Sequence, residues 1–110
     1  MGIRIRSVVT QINSPDQFKT AVDTDSLVVA YYTAAWCPPC KAIAPVFEKL
    51  SDDHGEAVFL KIDVDEQQWL AAKASIAAMP TFQFLKGGEK VKEVVGADPS
   101  AVESAIVELK

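Results

Sequence analysis

The segment Trp36-Cys37-Pro38-Pro39-Cys40-Lys41 holds the only two cysteines of the chain, three residues apart. Thiols that close in sequence cannot staple distant parts of a chain, which excludes a structural disulfide framework. They can make and break one local disulfide. An apolar run ends just before them and helical periodicity begins just after, so the pair falls where a strand gives way to a helix. At a helix N-terminus the unsatisfied N–H groups and the positive end of the dipole favour an anion, and hence a cysteine thiolate. Cys37 is therefore expected to be the nucleophile. Cys40, one helical turn further in, is close enough to attack the Cys37 sulfur once that sulfur is bonded to a third one. A closed zinc site needs four ligands, and beyond the cysteines only His54 and acidic side chains remain. His54-Gly55 reads as the end of a helix. Dithiol redox chemistry is favoured over metal, and no metal ligand is assigned.

The elements that must hold this pair alternate in type. Ser7 to Ile12 reads as a short strand, and Ser14-Pro15-Asp16-Gln17 supplies an N-cap, a first-position proline and a capping-box Gln ahead of Phe18, Ala21 and Val22. Leu27 to Thr33 is apolar without alternation, the pattern of a central strand covered on both faces. A helix is predicted from Cys37 to Ser51, with Ile43, Phe47 and Leu50 on one face and a kink at Pro45. Ala57 to Asp63 reads as a strand, and a helix containing Trp69, Leu70 and Lys73 follows. Thr81 to Leu85 and Lys90 to Val95 flank Gly87-Gly88 as an antiparallel hairpin. Asp98-Pro99 caps a last helix bearing Val102, Ala105, Ile106 and Leu109. Long crossovers between the first three strands favour parallel pairing, and the whole implies an α/β fold, a mixed sheet with helices on both faces.

The 110 residues suit one domain, 1–110, and no repeat or linker divides them. Apolar residues at 49% and charged residues at 24% exclude a disordered chain, and no run reaches the length of a membrane-spanning helix. A net charge of −4 argues against a nucleic-acid partner, which calls for a basic surface. Arg4 and Arg6 interrupt the opening apolar residues, so no secretory signal is read, and the myristoylation pattern fails because Arg6 stands where Ser or Thr is required. The expected location is the cytoplasm.

Four features in order, WCPPCK, the Lys61-Ile62-Asp63-Val64-Asp65 strand end, Met79-Pro80-Thr81 and Gly96-Ala97, resemble the thioredoxin family over essentially the whole chain. The resemblance implies a thioredoxin fold, protein-disulfide reductase activity and no bound cofactor. It also implies electrons from NADPH through a thioredoxin reductase. The partners it implies are that reductase and disulfide-containing targets such as peroxiredoxins and reductases. Cys37 matches the attacking cysteine, Cys40 the resolving one, and Pro80 the family's cis-proline facing them. The family's peptide-binding surface maps to Trp36, Pro38, Val64, Met79, Pro80, Val95, Gly96 and Ala97; core packing is the competing role for Val64 and Val95. Tryparedoxins and nucleoredoxins share WCPPC but carry Arg in place of Lys41, so a specialised electron donor is the alternative within the same chemistry. A redox-independent binding module is the alternative outside it.

Two positions depart from the family. Pro38 replaces the usual Gly and removes a backbone donor near the Cys37 sulfur. Tyr31 stands where thioredoxins bury an Asp thought to help deprotonate the resolving thiol, and a phenol is a poor base at neutral pH. Lys61 matches the family's strand lysine but lacks that carboxylate partner, which favours a solvated surface role. Asp63, Asp65 and Glu66 read as a solvated acidic face.

Overall fold

The computed structural model describes residues 8–110. Its elements run β1 (Thr10–Gln11), α1 (Pro15–Ala21), β2 (Val28–Thr33), α2 (Pro38–Asp53), β3 (Val58–Asp63), α3 (Gln68–Lys73), β4 (Thr81–Lys86), β5 (Glu89–Val95) and α4 (Pro99–Leu109). The strands form one sheet in the order β1-β3-β2-β4-β5. β1 and β2 each pair parallel with β3, and β2 pairs antiparallel with β4, as β4 does with β5. β2 thus lies in the middle and is buried at every residue.

Because strand side chains alternate between faces, β2 feeds two cores. Val29 and Tyr31 join Phe59, Phe82 and Phe84 beneath Ile43, Phe47 and Leu50 of α2 and Val102, Ala105 and Ile106 of α4. Val28, Ala30 and Tyr32 pack on the other face with Leu60, Ile62 and Leu85, covered by Phe18 of α1 and Leu70 of α3. Helices therefore cover both faces of a mixed sheet.

Local chemistry sets the ends of the elements. Ser14 Oγ accepts the Gln17 N–H at 3.1 Å, and Gln17 Oε1 accepts the Asn13 N–H at 2.6 Å, so the reciprocal bond reaches one residue further back than in a standard capping box. Asp98 caps α4 by accepting the Ala101 N–H at 3.1 Å. Gly87 and Gly88 both have positive φ, 60° and 81°, which the tight β4–β5 turn requires. Pro45 lies within α2, leaving the Lys41 carbonyl without an i+4 backbone donor.

β1 is shorter than the expected Ser7 to Ile12. Ser7 lies outside the described residues, and after Gln11 only the Ile12 N–H continues toward β3, reaching the Lys61 carbonyl at 2.9 Å. The cap of α1 begins at Ser14 and turns the chain away.

Two features yield stability predictions. Ser75 follows α3 with φ of 59°, a left-handed conformation that favours glycine. Ser75→Gly should raise stability by up to about 1 kcal/mol, read from urea midpoints. Burial pushes the Tyr32 phenol from its ordinary 10.0 up to about 12. Between those values the folded protein keeps a proton that the unfolded chain releases, so stability falls as pH rises. That loss should approach about 2 to 3 kcal/mol near pH 12, and Tyr32→Phe should make the alkaline limb of a melting-temperature profile shallower.

Candidate active site

Cys37 is the N-cap of α2. Its N–H donates to the Ala34 carbonyl and its own carbonyl accepts the Lys41 N–H, both at 3.2 Å, which locks the turn from β2 into the helix. Cys37 and Cys40 are joined by a disulfide, their Cα atoms 5.3 Å apart. The Cys37 sulfur accepts the Cys40 N–H at 3.2 Å. This is the donor left to hold negative charge when the sulfur is a thiolate. Pro38 occupies N1, a position whose N–H an N-cap side chain does not use. The donor missing from the sulfur is that of Pro39 at N2, so the cost expected at Pro38 belongs one residue further on.

Around the pair, Ala34 is buried, and Val64 and Met79 pack against the small cluster it forms with Cys37 and Cys40. The Met79–Pro80 peptide bond is cis, and the Met79 carbonyl oxygen lies 3.7 Å from the Cys37 sulfur. Pro80 itself is buried. Its carbonyl accepts the Gly96 N–H at 2.9 Å, which ties the end of β5 to the proline loop. Gly96 has φ of 105°, a conformation that side chains disfavour. Trp36, Pro38, Val95 and Ala97 are exposed, whereas Val64, Met79 and Gly96 are half-buried.

The acidic residues do more than face solvent. Asp65 Oδ2 accepts the Trp36 indole N–H at 2.8 Å, and Asp63 Oδ1 accepts the N–H groups of Asp65 at 2.8 Å and Glu66 at 3.2 Å. Asp63 thus builds the turn that delivers Asp65 to Trp36, while Asp65 and Glu66 keep the exposure expected of a solvated face. Lys61 is likewise half-buried rather than on open surface. It lines a cleft of about 330 Å³ that reaches Cys40, together with Gln11, Tyr31, Lys41 and Asp63.

Tyr31 is 1% exposed, and its hydroxyl donates to the Cys40 carbonyl at 2.8 Å. Its ring stacks on Phe82, with centroids 5.0 Å apart and planes at 8°, and meets Phe47 at 4.8 Å. Burial raises the phenol above its ordinary value, and the Thr33 hydroxyl opposes this in part. The group is thus a neutral donor at physiological pH and takes no proton from a thiol. Burying a large aromatic side chain is worth about 2 to 3 kcal/mol and a neutral hydrogen bond about 1, so packing holds Tyr31 in place and the hydroxyl is carried with it. Neither this bond nor the Trp36–Asp65 pair is visible in sequence spacing.

Comparisons with known proteins bear on this arrangement. A family model described as thioredoxin matches residues 9–108. A thioredoxin of Malassezia sympodialis is 52% identical over 102 residues, covering 91% of this chain and 97% of that protein. A crystal structure of Malassezia sympodialis thioredoxin superposes with a TM-score of 0.93 at 47% identity, covering 99% of this chain and 96% of that one. A structure described as the basis of thiol resolution in yeast mitochondrial 1-Cys peroxiredoxin by glutathione and thioredoxin systems gives a TM-score of 0.87 at 32% identity, covering 92% and 95%.

The first turn of α2 supplies a direct test of charge stabilisation. Pro39→Ala restores the N2 donor to the Cys37 sulfur, so the reduced variant should react with iodoacetamide at mildly acidic pH about three to ten times faster than the wild type. Mass spectrometry of the labelled peptide reads the rate at Cys37 separately from Cys40.

Proposed function

The chain belongs to the thioredoxin family, and on that premise we propose that it is a general reductant of protein disulfides in the cytoplasm, with peroxiredoxins among its targets. It is a thiol-disulfide oxidoreductase that cycles between the Cys37–Cys40 dithiol and disulfide. Thioredoxins hold no cofactor and draw their electrons from NADPH through a thioredoxin reductase, which is this chain's implied partner along with disulfide-bearing targets.

In the reductive half, the Cys37 thiolate attacks one sulfur of a target disulfide and expels the other as a thiolate. Cys40, deprotonated, then attacks the Cys37 sulfur. The Cys37–Cys40 bond forms, the mixed disulfide breaks, and the target leaves with both electrons as a second thiolate that takes a proton from water. The observation that carries this assignment is Cys37 at the N-cap of α2 with the Cys40 N–H on its sulfur. A sulfur so placed is the one whose negative charge the helix supports.

The proposed target surface comprises Trp36, Pro38, Val64, Met79, Pro80, Val95, Gly96 and Ala97, a reading supported by the Met79 carbonyl 3.7 Å from the Cys37 sulfur and by the Gly96 N–H bond to the Pro80 carbonyl. The backbone of Met79, beside the Cys37 sulfur, suits an extended target segment added in strand fashion. Residues 1–110 are taken to act as one domain, a reading supported by a family match reaching from 9 to 108. Cytoplasmic placement is supported by chemistry that needs a reducing, NADPH-linked compartment. Among the described residues no helix is long and apolar enough to cross a membrane.

Turnover of a protein disulfide with dithiothreitol as electron source separates this function from a redox-independent binding module, which would show none. Cys40→Ser should accumulate mixed disulfides with lysate proteins, visible on non-reducing gels, whereas Cys37→Ser should capture none. Equal capture by both variants would contradict a fixed order of attack.

A further inference from the structure

The mechanism above uses two sulfurs but leaves one buried polar group near them unassigned. The Tyr31 hydroxyl is an interior donor that reaches out of the sheet to the first turn of α2 and bonds the backbone of the resolving cysteine itself. The turn has its own backbone ties at Cys37, whose N–H reaches the Ala34 carbonyl and whose carbonyl accepts the Lys41 N–H, whereas Pro45 leaves the Lys41 carbonyl without its helical donor. Tyr31, in contrast, sits on the fully buried central strand, clamped between Phe82 and Phe47.

We infer that Tyr31 is a positioning residue for the second half of the reaction, its hydroxyl holding the Cys40 backbone so that the Cys40 sulfur stays within reach of Cys37 while Cys37 is bonded to a target. The inference rests on the assignment of Cys37 as nucleophile and Cys40 as resolving thiol. During capture, Cys37 reacts with an external sulfur and Cys40 takes no part. During release, Cys40 must close on Cys37 with no bond yet linking the two, and displacing a reacting group by about 1 Å can slow such a step a hundredfold. The tether therefore acts on release alone.

Tyr31, a neutral donor, does not move the proton. The cleft that reaches Cys40 is lined by the charged groups Lys41, Lys61 and Asp63. None of these changes when the tether is cut, so the rate of release should change while its pH midpoint does not.

Tyr31→Phe removes the hydroxyl and keeps the ring stacked on Phe82 and tilted against Phe47. Single-turnover reaction of the reduced protein with a fluorogenic disulfide peptide, followed from pH 5.5 to 9, separates second-order capture from first-order release. Capture should stay within about twofold of the wild type, and release should fall about tenfold at every pH with an unchanged midpoint. Release equal to that of the wild type would overturn the inference. A parallel loss of capture and release would also overturn it, since that pattern marks a general loosening of the fold. Capture that survives Cys37→Ser would instead overturn the assignment of the nucleophile, and this inference with it. A thermal melt of each variant identifies any that is unfolded, and for such a variant Tyr31→Met, which fills the site without a hydroxyl, gives the same reading.

Discussion

Every side chain of β2 is buried, Val29 and Tyr31 in one core and Val28, Ala30 and Tyr32 in the other, and this confinement of Val28–Thr33 is the constraint from which the site follows. A strand held on both faces by close-packed side chains cannot slide or roll, because a slip of one residue would exchange its two sets of side chains. Its C-terminal end therefore delivers Cys37 to a fixed point. The Ala34 carbonyl and the Cys37 N–H complete the hand-over from strand to helix. From the same strand Tyr31 reaches Cys40, so both sulfurs take their positions from one rigid element.

The remaining parts of the site come from elements distant in sequence that the sheet order gathers at the same end. β3 runs parallel to β2, so its exit brings Asp63, Val64 and Asp65 beside the exit of β2, where Val64 packs against the cluster of Ala34 and the two cysteines and Asp65 holds the Trp36 indole. β4 runs antiparallel to β2, which places its entry, with Met79 and Pro80, at that same end. β5 returns antiparallel and ends there too, Gly96 bonding Pro80. Parallel exits and antiparallel entries thus converge on one edge of the molecule.

Much of this was legible in the sequence wherever the signal is local. The unbroken apolar run of β2, the Ser14 and Asp98 caps and the Gly87-Gly88 turn each state their structure within a few residues, and the two cysteines state their chemistry by spacing. The strand order was not legible, because it depends on pairings between segments far apart in the chain. The same holds for the Trp36–Asp65 bond, whose partners are 29 residues apart. Tyr31 could be read as a missing base but not as a tether, since a donor aimed at a main-chain carbonyl leaves no mark on spacing. The Pro80 assignment came from family resemblance, because local sequence does not distinguish a cis proline from one that starts a strand. The solvated acidic face was legible but its hydrogen bonds were not, for a related reason: composition describes charge, whereas the turn Asp63 builds depends on which N–H groups face it.

The outer edge of the sheet, at β5, bears on how the molecule meets other chains. Among the described residues β5 has one neighbour, β4, and its other side is an edge of backbone donors and acceptors, a template on which chains can aggregate. The strand carries Glu89, Lys90, Lys92 and Glu93 among its seven residues, and the pairing with β4 shifts register between Phe84 and Leu85. Charged side chains along an edge strand and an irregularity in its pairing are both devices that discourage another strand from adding to it. A thiol-disulfide oxidoreductase, which has to come close to other polypeptides to exchange disulfides with them, thereby presents a poor edge for strand pairing.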